Sequence, residues 1–455
     1  KWVLWLEQRP NDGGRTTVLI RPWGCSEFPA QELTPAPIDV RTRVHSYGGG
    51  PLATFGEGDE LLFAWIDDSD GCLWTQSLKA LQNPVKDEGL WIESSQSPIC
   101  LSRKADYALA DGLIDSWRKR WIGVMEKDGV DFLVSFSLNK EFQNPIVIYR
   151  PEDFVGYAAI SPNGSQLVWI EWQQPSMPWE SSQLWLGCFN NSGELTEKKL
   201  LAGSTVDKEG SISVFQPIWM PQGELLVSED RSGWWNLMIT GPNIEIDSPV
   251  SWRCLWPMKS ETAMPQWVYG MSTTSSAGEN IAISTCVNGS WQINLLGRDG
   301  LISKFEQPYD DLEGLSADKN RILAIASNPL HEPGLLEIDL NLGNWSHTSL
   351  REPVLDKSQI SVPESFWFEG FGGRMTHAWY YPPANWNGLA APLLVKIHSG
   401  PTAMAGRGLN LGIQYWTSRG WGVLDVNYGG STGFGRAYRE RLKGRWGEVD
   451  VFDCS

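Results

Sequence analysis

The chain has 455 residues, a formal net charge of −17, 41% hydrophobic residues and 20% charged ones. That length predicts two domains, the composition is that of a globular protein, and no apolar run approaches the roughly 18 residues that a membrane-spanning helix needs. A negative charge without any sustained Lys/Arg stripe repels a phosphate backbone and excludes a nucleic-acid partner.

The chain opens with Lys1 directly inside an apolar run, WVLWLE, so a preceding segment is expected, and whether it holds a signal peptide stays open. Similar runs rich in Trp, Val, Ile and Leu start at Trp2, Leu61, Trp121, Leu167, Leu225, Ile281 and Ile322, at intervals of 41 to 60 residues. Most are followed by a turn and a second strand, as in DGVDFLVSFSL (128–138), RSGWWNLMI (231–239) and VNGSWQINLL (287–296). Turns of S-P-x-G type precede some of them, at Ser161–Gly164 and less perfectly at Met220–Gly223. A strand–turn–strand unit repeated at this length fits a propeller blade, which cannot bury both faces alone and must stack on neighbours. About seven blades are predicted. Two successive β-sandwiches would also give short strands, but they do not require a unit repeated at that period.

Within this region DDSDG (67–71) invites a calcium reading, yet Ile66 would occupy the first ligand position and no Glu follows in place, so a hairpin turn is expected. Tyr47, followed by Gly48 to Gly50, is a candidate for lining the propeller face toward a site; a bend between strands explains the same residues and is preferred. The 26 tryptophans admit a stacking surface for sugar or peptide, with blade packing the preferred reading. Seven cysteines (25, 72, 100, 188, 254, 286, 454) are scattered without C-x-x-C spacing, which argues against a disulfide framework or a zinc site and for a cytoplasmic location. The five histidines share no ligand spacing, so neither metal nor cofactor is expected.

REPVLDKSQISVPESF (351–366) is polar and Pro-punctuated, placing a domain boundary near residue 352 and dividing the chain into 1–352 and 353–455. Behind it SFWFEGFGG and MTHAWYYPP read as a hairpin, PLLVKIH as a strand buried on both faces, 408–419 as a helix and WGVLDVNY as a second buried strand. A helix over 434–446 would carry Arg436, Arg439 and Lys443 on one side. Strand, helix and strand in that order imply a parallel sheet. GGSTGFGR (429–436) lacks the ending of a phosphate loop and is expected to be a tight turn under the site. His398 and Ser399 are neighbours on an extended segment and point to opposite faces, so they are no nucleophile–base pair; His398 is expected to bond nearby backbone.

PLLVKIHSGPT, then Q-x-W-x-S-R-G-W, then D-V-N-Y-G-G-S-T-G-F-G-R-x-Y, then G-R-W-G-x-x-D-V-x-D, in this order, resemble the prolyl oligopeptidase family of serine peptidases, on its acylaminoacyl- and dipeptidyl-peptidase side. RTRVHSYGGG (41–50) and DRSGWWNLM (230–238) also resemble stretches of relatives. The resemblance implies a β-propeller followed by the N-terminal portion of an α/β-hydrolase domain. In the family the second Gly of an H-G-G-P turn donates its N–H to the oxyanion; here that position is Gly400. Ser399 replaces the first Gly, which requires that residue to avoid strongly positive φ. Ser399 and Tyr428 join Tyr47 as substrate-gating or turn candidates. The resemblance implies a catalytic Ser on a G-x-S-x-G elbow that follows the W-G-x-x-D segment; the G-x-S-x-G string in this chain, GGSTG (429–433), precedes that segment, so the Ser/Asp/His triad has no counterpart here and the nucleophile is expected beyond Ser455, or absent from the protein.

The function expected is therefore hydrolysis of short peptides by a longer parent protein, the 455 residues alone being inactive. Whether single residues, dipeptides or acylated residues would be released stays open, as does oligomeric state, a homo-oligomer included. The alternative is a non-catalytic propeller binding a peptide or protein partner. A third class, carbohydrate processing, would need paired carboxylates that spacing alone does not identify.

Overall fold

A computed structural model of the chain describes residues 1–57, 60–204, 210–384, 388 and 390–455. Seven sheets follow one another along the chain, each a meander in sequence order. The first has three strands, Trp2–Arg9, Arg15–Pro22 and Gln31–Glu32. The second adds a short fifth strand, Ile99–Cys100, to four, and the remaining five have four strands each. This is the predicted β-propeller, with seven blades among the described residues.

The local chemistry that turns the chain back on itself is visible in the tight hairpins. Asp128-Gly129 joins Arg120–Lys127 to Val130–Ser137, and Asn288-Gly289 joins Asn280–Val287 to Ser290–Gly297. Both residues of each pair have positive φ, 55° and 75° in one and 50° and 77° in the other. Two-residue turns of this type match the right-handed twist of the flanking strands, and Asp-Gly and Asn-Gly tolerate that backbone. DDSDG is likewise a hairpin turn, with Gly71 N–H donating to the Asp67 carbonyl at 2.8 Å.

The predicted repeat runs fall on the second strand of every sheet except the first, where WVLWLE lies on the first described strand. Second strands pair on both sides and are buried on both faces, as in Gln166–Trp172. The core is made between consecutive sheets. Ala64, Ile66 and Leu73 of the second pack with Leu109, Trp121 and Phe136 of the third, and Ala282, Trp291 and Ile293 of the sixth with Leu312, Ile322 and Leu336 of the seventh. Trp65, Trp121, Trp169 and Trp235 are the largest fully buried side chains, so at these positions Trp fills blade cores.

The chain divides into two compact units, Lys1–Leu226 with Thr240–Trp252 and Gln266–Met271, and Val227–Ile239 with Arg253–Pro265 and Ser272–Ser455. The second unit contains the eighth sheet, in the order Glu364–Glu369, Met375–Tyr381, Gly422–Asn427, Leu393–Ile397. Its first two strands form the predicted hairpin, and Leu393–Ile397 runs parallel to Gly422–Asn427. The sheet is mixed, because Met375–Tyr381 meets Gly422–Asn427 antiparallel.

Three expectations for this region are corrected. Leu393–Ile397 is an edge strand of the described sheet, so Leu393, Val395 and Ile397 are exposed rather than buried on both faces. The helix expected over 408–419 spans Leu411–Thr417, because Asn410 caps it by accepting from Ile413 N–H at 3.1 Å. The helix expected over 434–446 is a short α-turn, Arg436–Arg439, continued by a 3-10 turn, Glu440–Leu442. Lys443 has left the helical conformation (ψ 118°), so it does not share the face of Arg436 and Arg439. A further helix spans Val449–Cys454, and among the described residues no helix is long and apolar enough to cross a membrane.

Candidate active-site turn

Two loops leave the C-terminal ends of the parallel strands Leu393–Ile397 and Gly422–Asn427. Ile397 is in register with Val426, so the loops begin side by side, at the strand ends where open α/β sheets place their ligands. They are laced together. Thr432 N–H donates to the Ala403 carbonyl at 2.9 Å, and Ala405 N–H to Asn427 Oδ1 at 2.7 Å. Asn427 Nδ2 is 3.0 Å from His377 Nδ1, which accepts because burial drives the His377 pKa down to about 4 and keeps the ring neutral.

The first loop is the turn His398–Pro401. Gly400 has φ 140°, and a Cβ there would stand 3.1 Å from Thr402 N, so only glycine fits without strain. Ser399 is not among the residues with positive φ, which meets the condition for Ser at this position. Both are exposed, and among the described residues the Gly400 amide has no hydrogen-bond partner. His398 Nδ1 lies 2.9 Å from the Ser399 carbonyl oxygen, the backbone bond foreseen for it. Its Nε2 lies 2.7 Å from Ser431 Oγ. Burial, aided by Lys396, lowers the His398 pKa against the opposing pull of the Ser399 carbonyl. Tyr428 stacks on this imidazole, with centroids 4.5 Å apart and planes at 16°, and donates its hydroxyl to the His398 carbonyl at 3.2 Å. Burial pushes the Tyr428 phenol up to about 12, so it stays a donor.

The second loop, GGSTGFGR, is a tight turn fixed by buried carboxylates. Asp453 accepts from Gly429 N–H and from Phe371 N–H, each at 2.7 Å. Glu261 accepts from Gly435 N–H at 3.0 Å and from Trp235 N–H at 2.8 Å. Asp230 takes Arg436 at 2.5 Å and Arg439 at 2.7 Å, and the Arg439 guanidinium lies over the Trp235 ring, 4.1 Å from its centroid. Burial raises the Glu261 pKa to about 7, opposed by Arg439 and by the two amides. A loop whose amides are tied at both ends gives Ser431 and Tyr428 fixed positions beneath the Gly400 turn.

Ser399, Gly400 and Tyr428 are thus brought together, whereas Tyr47 belongs to the other unit. It lies in the loop before Leu52–Glu57, exposed, its ring centroid 6.1 Å from that of Trp267. Gly49 makes a bridge to Tyr269 in the same loop. Among the described residues no group of three or more His, Cys, Asp or Glu is arranged to hold a metal ion.

Residues 408–455, which hold the second loop and Asp453, match the Prolyl oligopeptidase family. The match is supported by the whole fold. A puromycin-hydrolyzing peptidase of Mycobacterium tuberculosis superposes with a TM-score of 0.86 and 29% identity, over 100% of this chain and 68% of that one. The match to the prolyl oligopeptidase family thus stands for residues 408–455, and the fold of the whole chain is similar to that of a peptidase. The chain is also similar to the uncharacterized peptidase YuxL of Bacillus subtilis, 27% identical over 168 residues, which are 36% of this chain and 26% of YuxL. Dipeptidyl-peptidase 4 of Giardia intestinalis is 30% identical over 101 residues, 21% of this chain and 13% of that protein. The chain therefore spans about two thirds of the superposed peptidase, and its matches to these two curated relatives cover 26% and 13% of their length.

The sequence singled out the turn residues but not what fixes them. Ser431 and Asp453 lie inside the quoted motifs GGSTGFGR and D-V-x-D, where their types signalled a site without indicating a partner. Glu261 and Asp230 carried no signal for this role. They reach the loop from 168 or more positions earlier in the chain, and only the fold brings them there.

Proposed function

We propose that this chain is the propeller and first part of the hydrolase domain, residues 1–352 and 353–455, of a serine peptidase that cleaves short peptides, with Gly400 N–H as one donor to the oxyanion. The observation that carries the reading is the pre-formed turn around Gly400 in a chain that superposes along its whole length on a puromycin-hydrolyzing peptidase. Acyl transfer develops negative charge on the former carbonyl oxygen. A fixed backbone donor aimed at that oxygen stabilises the transition state more than the ground state, because it needs no reorganisation when the charge appears. Removing one such donor typically costs about 10²–10³ in kcat.

The nucleophile, acid and base are supplied outside these 455 residues, so the chain alone is inactive in this reading. Release of single residues or dipeptides from chain ends, and of aminoacyl groups from amides such as puromycin, is the specificity proposed. The propeller admits oligopeptides and excludes folded proteins. A net charge of −17 disfavours nucleic acid as a partner, and seven free cysteines fit a reducing cytoplasm. The test is turnover by the complete gene product of puromycin, tri- and tetrapeptides and a folded protein. Hydrolysis of the small substrates alone is expected; a folded complete protein that cleaves none of them overturns the proposal.

A further inference from the structure

Within the first compact unit, between the third and fourth sheets, lies a cavity of about 660 Å³. One wall is a face of the third sheet, where Arg120 is in register with Asp115 on one side and Ser137 on the other. The facing wall is residues 191–196, from the turn that leads into Leu195–Gly203 of the fourth sheet. Two guanidinium groups, of Arg118 and Arg120, lie over the ring of Phe189, 4.2 and 4.9 Å from its centroid. They share one counter-charge. Asp115, with a side chain 0% exposed, accepts from Arg118 Nη1 at 3.3 Å and from Arg120 Nε at 3.0 Å. Arg118 Nη1 also donates to the Gly164 carbonyl at 2.8 Å. Arg120, with a side chain 12% exposed, makes no further hydrogen bond among the described residues, and its Nη2 is buried without a partner.

Two cations against one carboxylate leave a surplus positive charge at this wall, in a chain whose net charge is −17. Glu194 on the facing wall is exposed and engaged in its own turn, accepting from Asn190 Nδ2 and Ser192 Oγ, each at 3.0 Å. A buried guanidinium nitrogen left unpaired costs free energy that a ligand oxygen would recover. The cavity is many times the roughly 30 Å³ that one water takes up, and water would leave the surplus charge in place. Because Nε is committed to Asp115, the edge left free is the one carrying Nη1 and Nη2, a planar fork that matches the two oxygens of a carboxylate. A carboxylate monoanion neutralises the surplus, whereas a phosphate dianion exceeds it. Ile146 and Val147, 61% and 51% exposed, give the same cavity an apolar lip.

We infer that this cavity is a binding site for a carboxylate on an aliphatic stem, its two oxygens held by the free edge of Arg120 and its stem covered by Ile146 and Val147. The inference does not depend on the peptidase reading. The carboxylate belongs to a free aliphatic acid or to a peptide C-terminus, and the test separates the two.

The test is isothermal titration of the complete gene product, treated beforehand with a fluorophosphonate so that no peptide is turned over. The ligands are 4-methylpentanoate, its amide, inorganic phosphate, and acetyl-Ala-Ala-Leu with a free or an amidated C-terminus. At least one free carboxylate binds, and phosphate and the amides bind about tenfold more weakly or worse, as expected for the loss of a charge-assisted hydrogen bond. Binding of the free peptide alone assigns the site to a peptide C-terminus, and binding of 4-methylpentanoate as well assigns it to aliphatic acids in general. Arg120→Gln brings the carboxylates down to the level of the amides. Val147→Glu, at an exposed position on the lip, weakens them through repulsion and serves if Arg120→Gln does not fold. A folded wild-type protein that binds neither carboxylate, that binds acid and amide equally, or that binds phosphate as well as the carboxylates overturns the inference, as does unchanged affinity in the folded variants.

Discussion

Asp230→Ala removes the carboxylate on which the second loop's two arginines converge. Asp230 and Arg439 have side chains 0% and 4% exposed, and Asp230 Oδ2 lies 2.7 Å from Arg439 and 2.5 Å from Arg436. Without Asp230, Arg436 keeps Glu440 at 2.8 Å, whereas Arg439 keeps Glu261 at 3.8 Å and the face of Trp235. The substitution therefore leaves a buried guanidinium short of its closest counter-charge. Breaking such a pair from one side costs about 3–5 kcal/mol. For a unit of about two hundred residues this corresponds to a fall in melting temperature of roughly 6–20 °C. Lys304→Ala is the control, since Lys304 and Glu306 are 51% and 81% exposed and their pair should be worth about 0–1 kcal/mol. Differential scanning calorimetry and urea titration of both variants compare the two. If Asp230→Ala destabilises no more than Lys304→Ala, the buried network does not hold the loop.

The remaining predictions concern protonation and the turn. Glu261 has a folded pKa raised by burial from 4.5 to about 7, so its stabilising contribution is complete below 4.5 and is lost as pH rises through 7. Urea stability measured across that window should therefore decline less in Glu261→Gln than in wild type, and equal slopes contradict this. His377 has the opposite sign, its pKa lowered to about 4, so its neutral ring contributes stability above 6.5 that is lost as pH falls toward 4. Imidazole NMR should show His377 still neutral at pH 5, and a protonated ring there refutes the burial argument. Gly400→Ala places a Cβ 3.1 Å from Thr402 N at φ 140°, so kcat of the complete enzyme should fall about 10²-fold or more; unchanged kcat means that this turn does not hold the oxyanion.

The blades were legible because their signal is local. Alternating strands, Asp-Gly and Asn-Gly turns and a 41 to 60 residue period each follow from short stretches of chain, and the structure puts a sheet at each repeat. The hydrolase elements were legible in kind and less so in extent. Asn410 capped one helix inside the expected range, and Gly444 and Gly447, with φ 69° and 80°, end the regular run that amphipathic spacing alone would have continued. The contact between the two loops beside Gly400 was not legible. His398 and Ser431 are 33 positions apart, and their contact depends on two parallel strands ending in register. The carboxylates of Glu261 and Asp230 are further still from the loop they hold; Asp230 opens the DRSGWWNLM stretch that resembles relatives, but nothing there names its arginine partners, and nothing beside Glu261 distinguishes it from other acidic residues.

The central claim is that these residues build the oxyanion side of a serine-peptidase site. The most direct measurement is reaction of the complete, folded gene product with a fluorophosphonate, read by intact mass and peptide mapping. The account predicts one phosphonylated serine per chain, located outside residues 1–455, and no labelling of the 455-residue chain alone. A folded complete protein that takes up no label, or label found on Ser399 or Ser431, would contradict it.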